Sequence, residues 1–197
     1  KFSNDYQSGA LSFEIFFKNS KLVSNCGYFQ NYKHQLNSIS RSSATHSTLV
    51  LDNTSSCKFK RDVDGILKIN QELKVSKKSI IVEKNYWCVE GSHEGYLKEY
   101  GVVHERKIEH FLDKNKFLGT DKLIKKKKFK STSFEIRFHF EPGVKITKTQ
   151  DEKFILIELK NSGWRFLCQD HKIEVETGLY FGKKNSFVEN QNIFISG

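Results

Sequence analysis

The segment SFEIRFHF at residues 133–140 alternates without a break. Phe134, Ile136, Phe138 and Phe140 fall on one face, and Glu135, Arg137 and His139 on the other. A repeat of two is the period of an extended chain, because successive side chains of a strand point to opposite sides. It does not fit the 3.6-residue period of a helix. This stretch therefore reads as a strand with a phenylalanine-rich inner face.

The same pattern continues in both directions. KFILIEL (153–159), GWRFLC (163–168), KIEVETGLYF (172–181) and QNIFIS (191–196) follow it closely. Before it come LSFEIFF (11–17), KLVSN (21–25), STLVLD (47–52), ILKINQELKVS (66–76), SIIVEKNYWCVEG (79–91) and VVHERKIEHFL (102–112). Each run is short, rich in Phe, Ile and Val, and bounded by Asn, Gly, Ser or Asp, as antiparallel strands joined by turns are. KNSK (18–21) and DVDG (62–65) read as hairpin turns. QNYKHQLNSIS (30–40) reads as a loop with at most one helical turn. The single proline, Pro142, falls between two strands, where no ladder donor is needed. The expectation is an all-β fold: one large two-sheet antiparallel β-sandwich over residues 1–197, with a dozen or more strands.

A length of 197 residues suffices to bury a core without a metal or disulfide staple. No apolar run approaches the roughly 20 residues that a membrane helix needs. The chain starts at Lys1 and contains no Met, so it reads as a piece of something longer, and the opening residues lack the layout of a signal peptide. Lys and Arg number 33 against 23 Asp and Glu, a net charge of +10 that favours anionic partners. The run KLIKKKKFK (122–130) carries one aromatic, Phe129, which does not make a stacking platform for bases. It reads as a solvated loop, and nucleic acid is not the preferred partner. Cys26, Cys57, Cys88 and Cys168 form no C-x-x-C pair. Buried thiols are the preferred reading; two disulfides stay open for an oxidising compartment.

Three polar clusters stand out. RSSATHSTLVLD (41–52) brings Arg41 and His46 to the mouth of a strand, where residue chemistry alone favours a histidine hydrogen-bonded to backbone over an imidazole and guanidinium sharing one site. SNCGYF (24–29) ends a strand at Asn25 and turns through Gly27. GSHEGY (91–96) and VVHER (102–106) set His93 and His104 as neighbours across a hairpin, where a structural role is expected, since no nucleophile or base stands beside them.

In order, LSFE, VSNCGYF, RSSATHSTLVLD, SHEGY, VVHERKIE, IRFHFEPGV, GWRF and LYFG resemble the C-terminal domain of heparinase II/III-like polysaccharide lyases, in the branch found in alphaproteobacteria. The resemblance spans about residues 5–197. It implies a two-sheet sandwich packed against an N-terminal helical toroid that lies outside this sequence, with the substrate cleft between them. It implies β-elimination at a uronic acid, in which a base takes the C5 proton and donors stabilise the developing charge. It also implies a catalytic His and a metal ligand from an H-x-H motif, an Asp ligand after the next strand, and a third ligand in the R…AH block. Here the H-x-H positions hold Asp5 and Gln7, with Tyr6 an alternative group at the catalytic position, and the Asp position holds Asn25. Only His46 matches.

The resemblance thus places Arg41, His46, Tyr6 and His34 at the substrate and Gln7, Asn25 and His46 in a remnant metal site. Two amides and one imidazole suit zinc poorly, so a hydrogen-bonded cluster without cofactor is expected, with zinc or calcium as the alternative occupant. The expected partners are an acidic polysaccharide and the chain's own helical domain, and the resemblance points to the periplasm or cell envelope. The alternatives are a non-catalytic carbohydrate-binding domain and a basic module for nucleic acid or another polyanion.

Overall fold

The computed structural model describes residues 5–71, 73–129 and 131–197. Among them are fifteen strands, two short α-helices and two 3-10 turns. Residues 1–70 and 133–197 form one compact unit, and residues 71–132 a second.

The larger unit opens with β1 (Ile15–Phe17) and β2 (Ser20–Val23), a hairpin. Its turn residues Lys18 and Asn19 have φ of 46° and 62°, the left-handed pair that a tight hairpin turn requires. A six-residue helix, α1 (Gln35–Ser40), follows. Next come β3 (Leu49–Leu51), buried throughout, and the hairpin β4 (Phe59–Arg61) with β5 (Leu67–Ile69). Asp62 Oδ1 accepts the amides of Asp64 and Ile66, which closes the DVDG turn.

The smaller unit is a four-stranded antiparallel meander. It comprises β6 (Val75–Glu83), β7 (Tyr86–His93), β8 (Val102–Phe111) and β9 (Lys116–Lys125), with helix α2 (Leu97–Tyr100) between β7 and β8. SIIVEKNYWCVEG, expected as one strand, is a hairpin that turns between Glu83 and Tyr86. The lysine run is not wholly a loop: Lys122–Lys125 closes β9, paired with Val102–Glu105. Lys130 lies outside the described residues.

At the foot of this meander His93 and His104 are fully buried and in contact. The Gly95 amide donates to His93 Nδ1 at 3.1 Å, so the His93 proton sits on Nε2 and goes to His104 Nδ1 at 3.0 Å. His104 Nε2 in turn donates to Asp121 Oδ1 at 2.6 Å. Arg106 holds the same carboxylate by Nε–Oδ1 at 2.8 Å and Nη2–Oδ2 at 3.1 Å. Every ring nitrogen is committed with both histidines neutral.

The larger unit resumes with β10 (Phe134–His139), β11 (Lys145–Lys148), β12 (Ile155–Leu159), β13 (Ser162–Phe166), β14 (Lys172–Tyr180) and β15 (Val188–Ser196). Strand order is β14-β15-β10-β3 in one sheet and β11-β12-β13 in another. Phe138 of β10 meets Phe166 of β13 edge-on at 4.8 Å, and the Gln191 side chain of β15 accepts the Ile146 amide of β11. Facing sheets joined through phenylalanines make the fold all-β and sandwich-like, although the ladders among the described residues divide into five sheets rather than two. The polar face of β10 is covered as well. His139 is 1% exposed, with Nδ1 3.0 Å from the Cys26 thiol, and Arg137 pairs with Glu135 and Glu176. All four cysteines are unpaired thiols.

Candidate functional site

The end of β10 anchors two loops at once. The His139 amide donates to Ser47 Oγ at 2.9 Å, the Ser47 hydroxyl donates to the Ser24 carbonyl at 2.6 Å, and the Ser24 amide returns to the His139 carbonyl at 2.8 Å. This closed ring ties the exit of β2 to the segment that enters β3. Asn25 follows Ser24 and His46 precedes Ser47, so the ring positions both side chains. Asn25 Oδ1 accepts the Ser47 amide at 2.8 Å.

A third loop, residues 6–12, is clamped beside them by Arg41. Its guanidinium is fully buried; Nε donates to the Tyr6 carbonyl at 2.7 Å and Nη1 to the Leu67 carbonyl at 2.8 Å, over the Phe59 ring. The Ser8 amide donates to the Arg41 carbonyl, and the Ser43 hydroxyl to the Ser8 carbonyl. Gln7 thereby meets His46, with Nε2 2.8 Å from Oε1. Gly9 lies flat against the imidazole: a Cβ there would come within 2.5 Å of His46 Cδ2.

Gln7, Asn25 and His46 line one open groove of about 450 Å³, together with Glu14, Lys21 and Tyr180. His46 Nδ1 lies 2.8 Å from the Ser42 carbonyl and so carries a proton. Burial holds the ring below its ordinary pKa, against the pull of that carbonyl. Both ring nitrogens are thus engaged, Nδ1 by the Ser42 carbonyl and Nε2 by the Gln7 side-chain amide. Glu14 Oε1 takes the Asn25 amide at 3.2 Å and Asn25 Nδ2 at 3.4 Å, while Oε2 pairs with Lys21 at 3.1 Å. Burial opposes the Lys21 charge, but Glu14 and Glu141 outweigh it and raise the ammonium pKa. Burial and the nearby Glu141 also raise the Tyr180 phenol.

These donors do not fit a zinc or calcium ion. Asn25 Oδ1 is spent on a backbone amide, its NH2 faces Glu14, and His46 Nε2 is spent on Gln7. No group of three His, Cys, Asp or Glu gathers in metal-binding geometry among the described residues.

The other anticipated residues lie elsewhere. Arg41, expected at the substrate, is an internal clamp. Tyr6 is half-buried and its hydroxyl accepts from the Cys57 thiol at 3.7 Å; burial pushes its pKa up, the wrong direction for a base. His34 is exposed and caps α1, with Nδ1 accepting the Leu36 amide. Asp5 lies on a second groove of about 410 Å³ that shares Gln7 and Tyr28 with the first. Sequence reading missed Gly9, Glu14, Lys21, Tyr28 and Tyr180. Glu14 and Lys21 were visible only as outward positions of the first two strands, and Tyr28 as part of SNCGYF.

The family model for the heparinase II/III-like C-terminal domain matches residues 1–197. The chain is similar in structure to the heparan sulfate lyase HepC from Pedobacter heparinus, with a TM-score of 0.74 and 15% identity over 97% of this chain and 28% of that one. It is also similar to a heparinase III, with a TM-score of 0.72 and 16% identity over 97% of this chain and 28% of that one. The chain thus spans little more than a quarter of the length of these lyases. A comparison with curated proteins gave no match. With every residue covered by the family model, the chain belongs to the heparinase II/III-like C-terminal domain family.

Proposed function

We propose that this chain is the C-terminal β-sandwich of a longer lyase and forms one wall of a cleft for a uronic-acid polysaccharide cleaved by β-elimination. The carrying observation is the convergence of Gln7, Asn25 and His46, from three separate loops, on one open polar groove. Amides and a phenol pinned by internal bonds suit the hydroxyls and ring oxygens of a sugar chain.

On this reading the wall positions substrate and supplies no base. Tyr6 faces Cys57, and His46 has both nitrogens engaged. Proton abstraction and neutralisation of the uronate fall to a helical domain upstream. The site of action by resemblance is the periplasm or cell envelope. The engaged His46 and the replaced H-x-H motif also favour a second reading, a glycan-binding domain without catalysis.

The test is incubation of the longer protein with heparan-like and alginate-like polymers. A rise in ultraviolet absorbance from the unsaturated product is expected, with none from the 197-residue chain alone. Binding without any such rise supports the second reading and overturns the first.

A further inference from the structure

The second groove extends the first along the wall, since Gln7 and Tyr28 line both. Its wall is pre-set. Tyr32 donates to Asp5 Oδ1 at 2.6 Å and Tyr28 to the same oxygen at 3.4 Å, while Asn37 Nδ2 donates to the Tyr28 oxygen at 3.2 Å. Two phenol rings are thus held by their hydroxyls, one fixed at both ends of its hydrogen-bond capacity. The amides of Gln7, Gln30 and Asn185 add donors and acceptors.

The two grooves differ in their cations. In the inner groove Lys21 is matched by Glu14 at 3.1 Å and Glu141 at 3.5 Å. In the outer groove Lys184 is exposed and makes no ion pair among the described residues. It stands in the turn between β14 and β15, next to Asn185, whose φ of 50° marks a tight left-handed corner. The carboxylate in this groove, Asp5, already carries two phenol hydrogen bonds.

We propose that the outer groove is a subsite for a second anionic sugar of the bound chain. Its ring lies along Tyr28 and Tyr32, its hydroxyls reach Asp5 and the amides, and its carboxylate or sulfate rests on Lys184. This rests on the polysaccharide reading above and adds where the negative charge of the substrate is read. A polymer crossing both grooves meets an ammonium already matched by Glu14 and Glu141 in the inner one, and in the outer one an ammonium with no ion pair among the described residues. Lys184 is therefore a specificity residue for charge.

The test is steady-state cleavage by the longer protein carrying K184Q, K184E or K184R, with unsulfated and sulfated uronate polymers. One exposed charge contact is worth a factor of about two to five. KM is expected to rise about three-fold for K184Q and about ten-fold for K184E, with kcat within two-fold and K184R close to the parent. The loss shrinks as salt rises. A rise on both polymers assigns the carboxylate, and a rise on the sulfated polymer alone assigns the sulfate. An unchanged KM for K184E overturns the outer subsite, while Q7A and H46A variants that still impair the same enzyme keep the polysaccharide reading intact. A parent protein that neither binds nor cleaves any uronate polymer overturns both.

Discussion

Gly9 shows how one missing methyl can set a site. Its α-carbon lies where a Cβ would press on His46 Cδ2 at 2.5 Å and Cγ at 2.9 Å, so only glycine lets the 6–12 loop bring Gln7 onto Nε2. Gly9→Ala is expected to destabilise the chain by about 1–3 kcal/mol, as overpacking does, read as a lower urea midpoint with unchanged slope. Arg41 is the complementary case. Arg41→Ala strips hydrogen bonds from the Tyr6 and Leu67 carbonyls in a dry interior and is expected to cost about 2–4 kcal/mol. The 6–8 segment should also lose hydrogen-exchange protection. Because Asn25, Gln7 and His46 already bond one another's surroundings, chelator treatment should leave the thermal midpoint of the chain where it was, checked by calorimetry together with elemental analysis; stoichiometric zinc would contradict the geometry.

At the scale of elements, the meander of residues 71–132 depends on a buried network whose charge state is set. Burial, then the neighbouring His104 and Arg106, hold His93 down to about 3, and burial lowers His104 despite its bond to Asp121. Both histidines sit near 6.5 when unfolded, so their contribution is complete above that value and is lost as pH falls below it. Arg106 and His104 outweigh burial and hold Asp121 below the usual carboxylate range, so its share is lost further down, below about pH 4. His93 alone should remove about 2 kcal/mol between pH 7.5 and pH 5. Urea midpoints followed by the Trp87 fluorescence of β7 should therefore drop on acidification, and an Asp121→Asn variant should start lower.

Elements also show what was legible. Strict alternation made β10 readable residue by residue, and Lys18-Asn19 and Asp62-Gly65 marked their turns by chemistry. The hairpin of β6 and β7 was hidden although its turn carries the same Lys-Asn pair as residues 18–19, because that pair sits inside a run of Ile, Val, Tyr and Trp that reads as one strand. Strand β9 was hidden because its pairing with β8, not its own lysine-rich pattern, makes it a strand.

For the whole molecule, the family resemblance implied His46 beside Gln7 and Asn25, but not what surrounds them. Glu14 lies 11 residues from its partner Asn25. Tyr180 reaches the groove from β14, at the far end of the chain. Such neighbours arise from sheet order and leave no local pattern. Arg41 shows the converse: a cation next to a histidine in sequence read as a ligand contact, yet the interior claims it to fasten a loop.

The most direct measurement of the central claim is hydrogen exchange on the longer protein with and without a uronic-acid oligosaccharide. Added slowing at residues 5–9, 24–28 and 44–48 is the expected result, since those three loops build the groove. Slowing confined to residues 71–132, or none anywhere in these 197 residues, would contradict it.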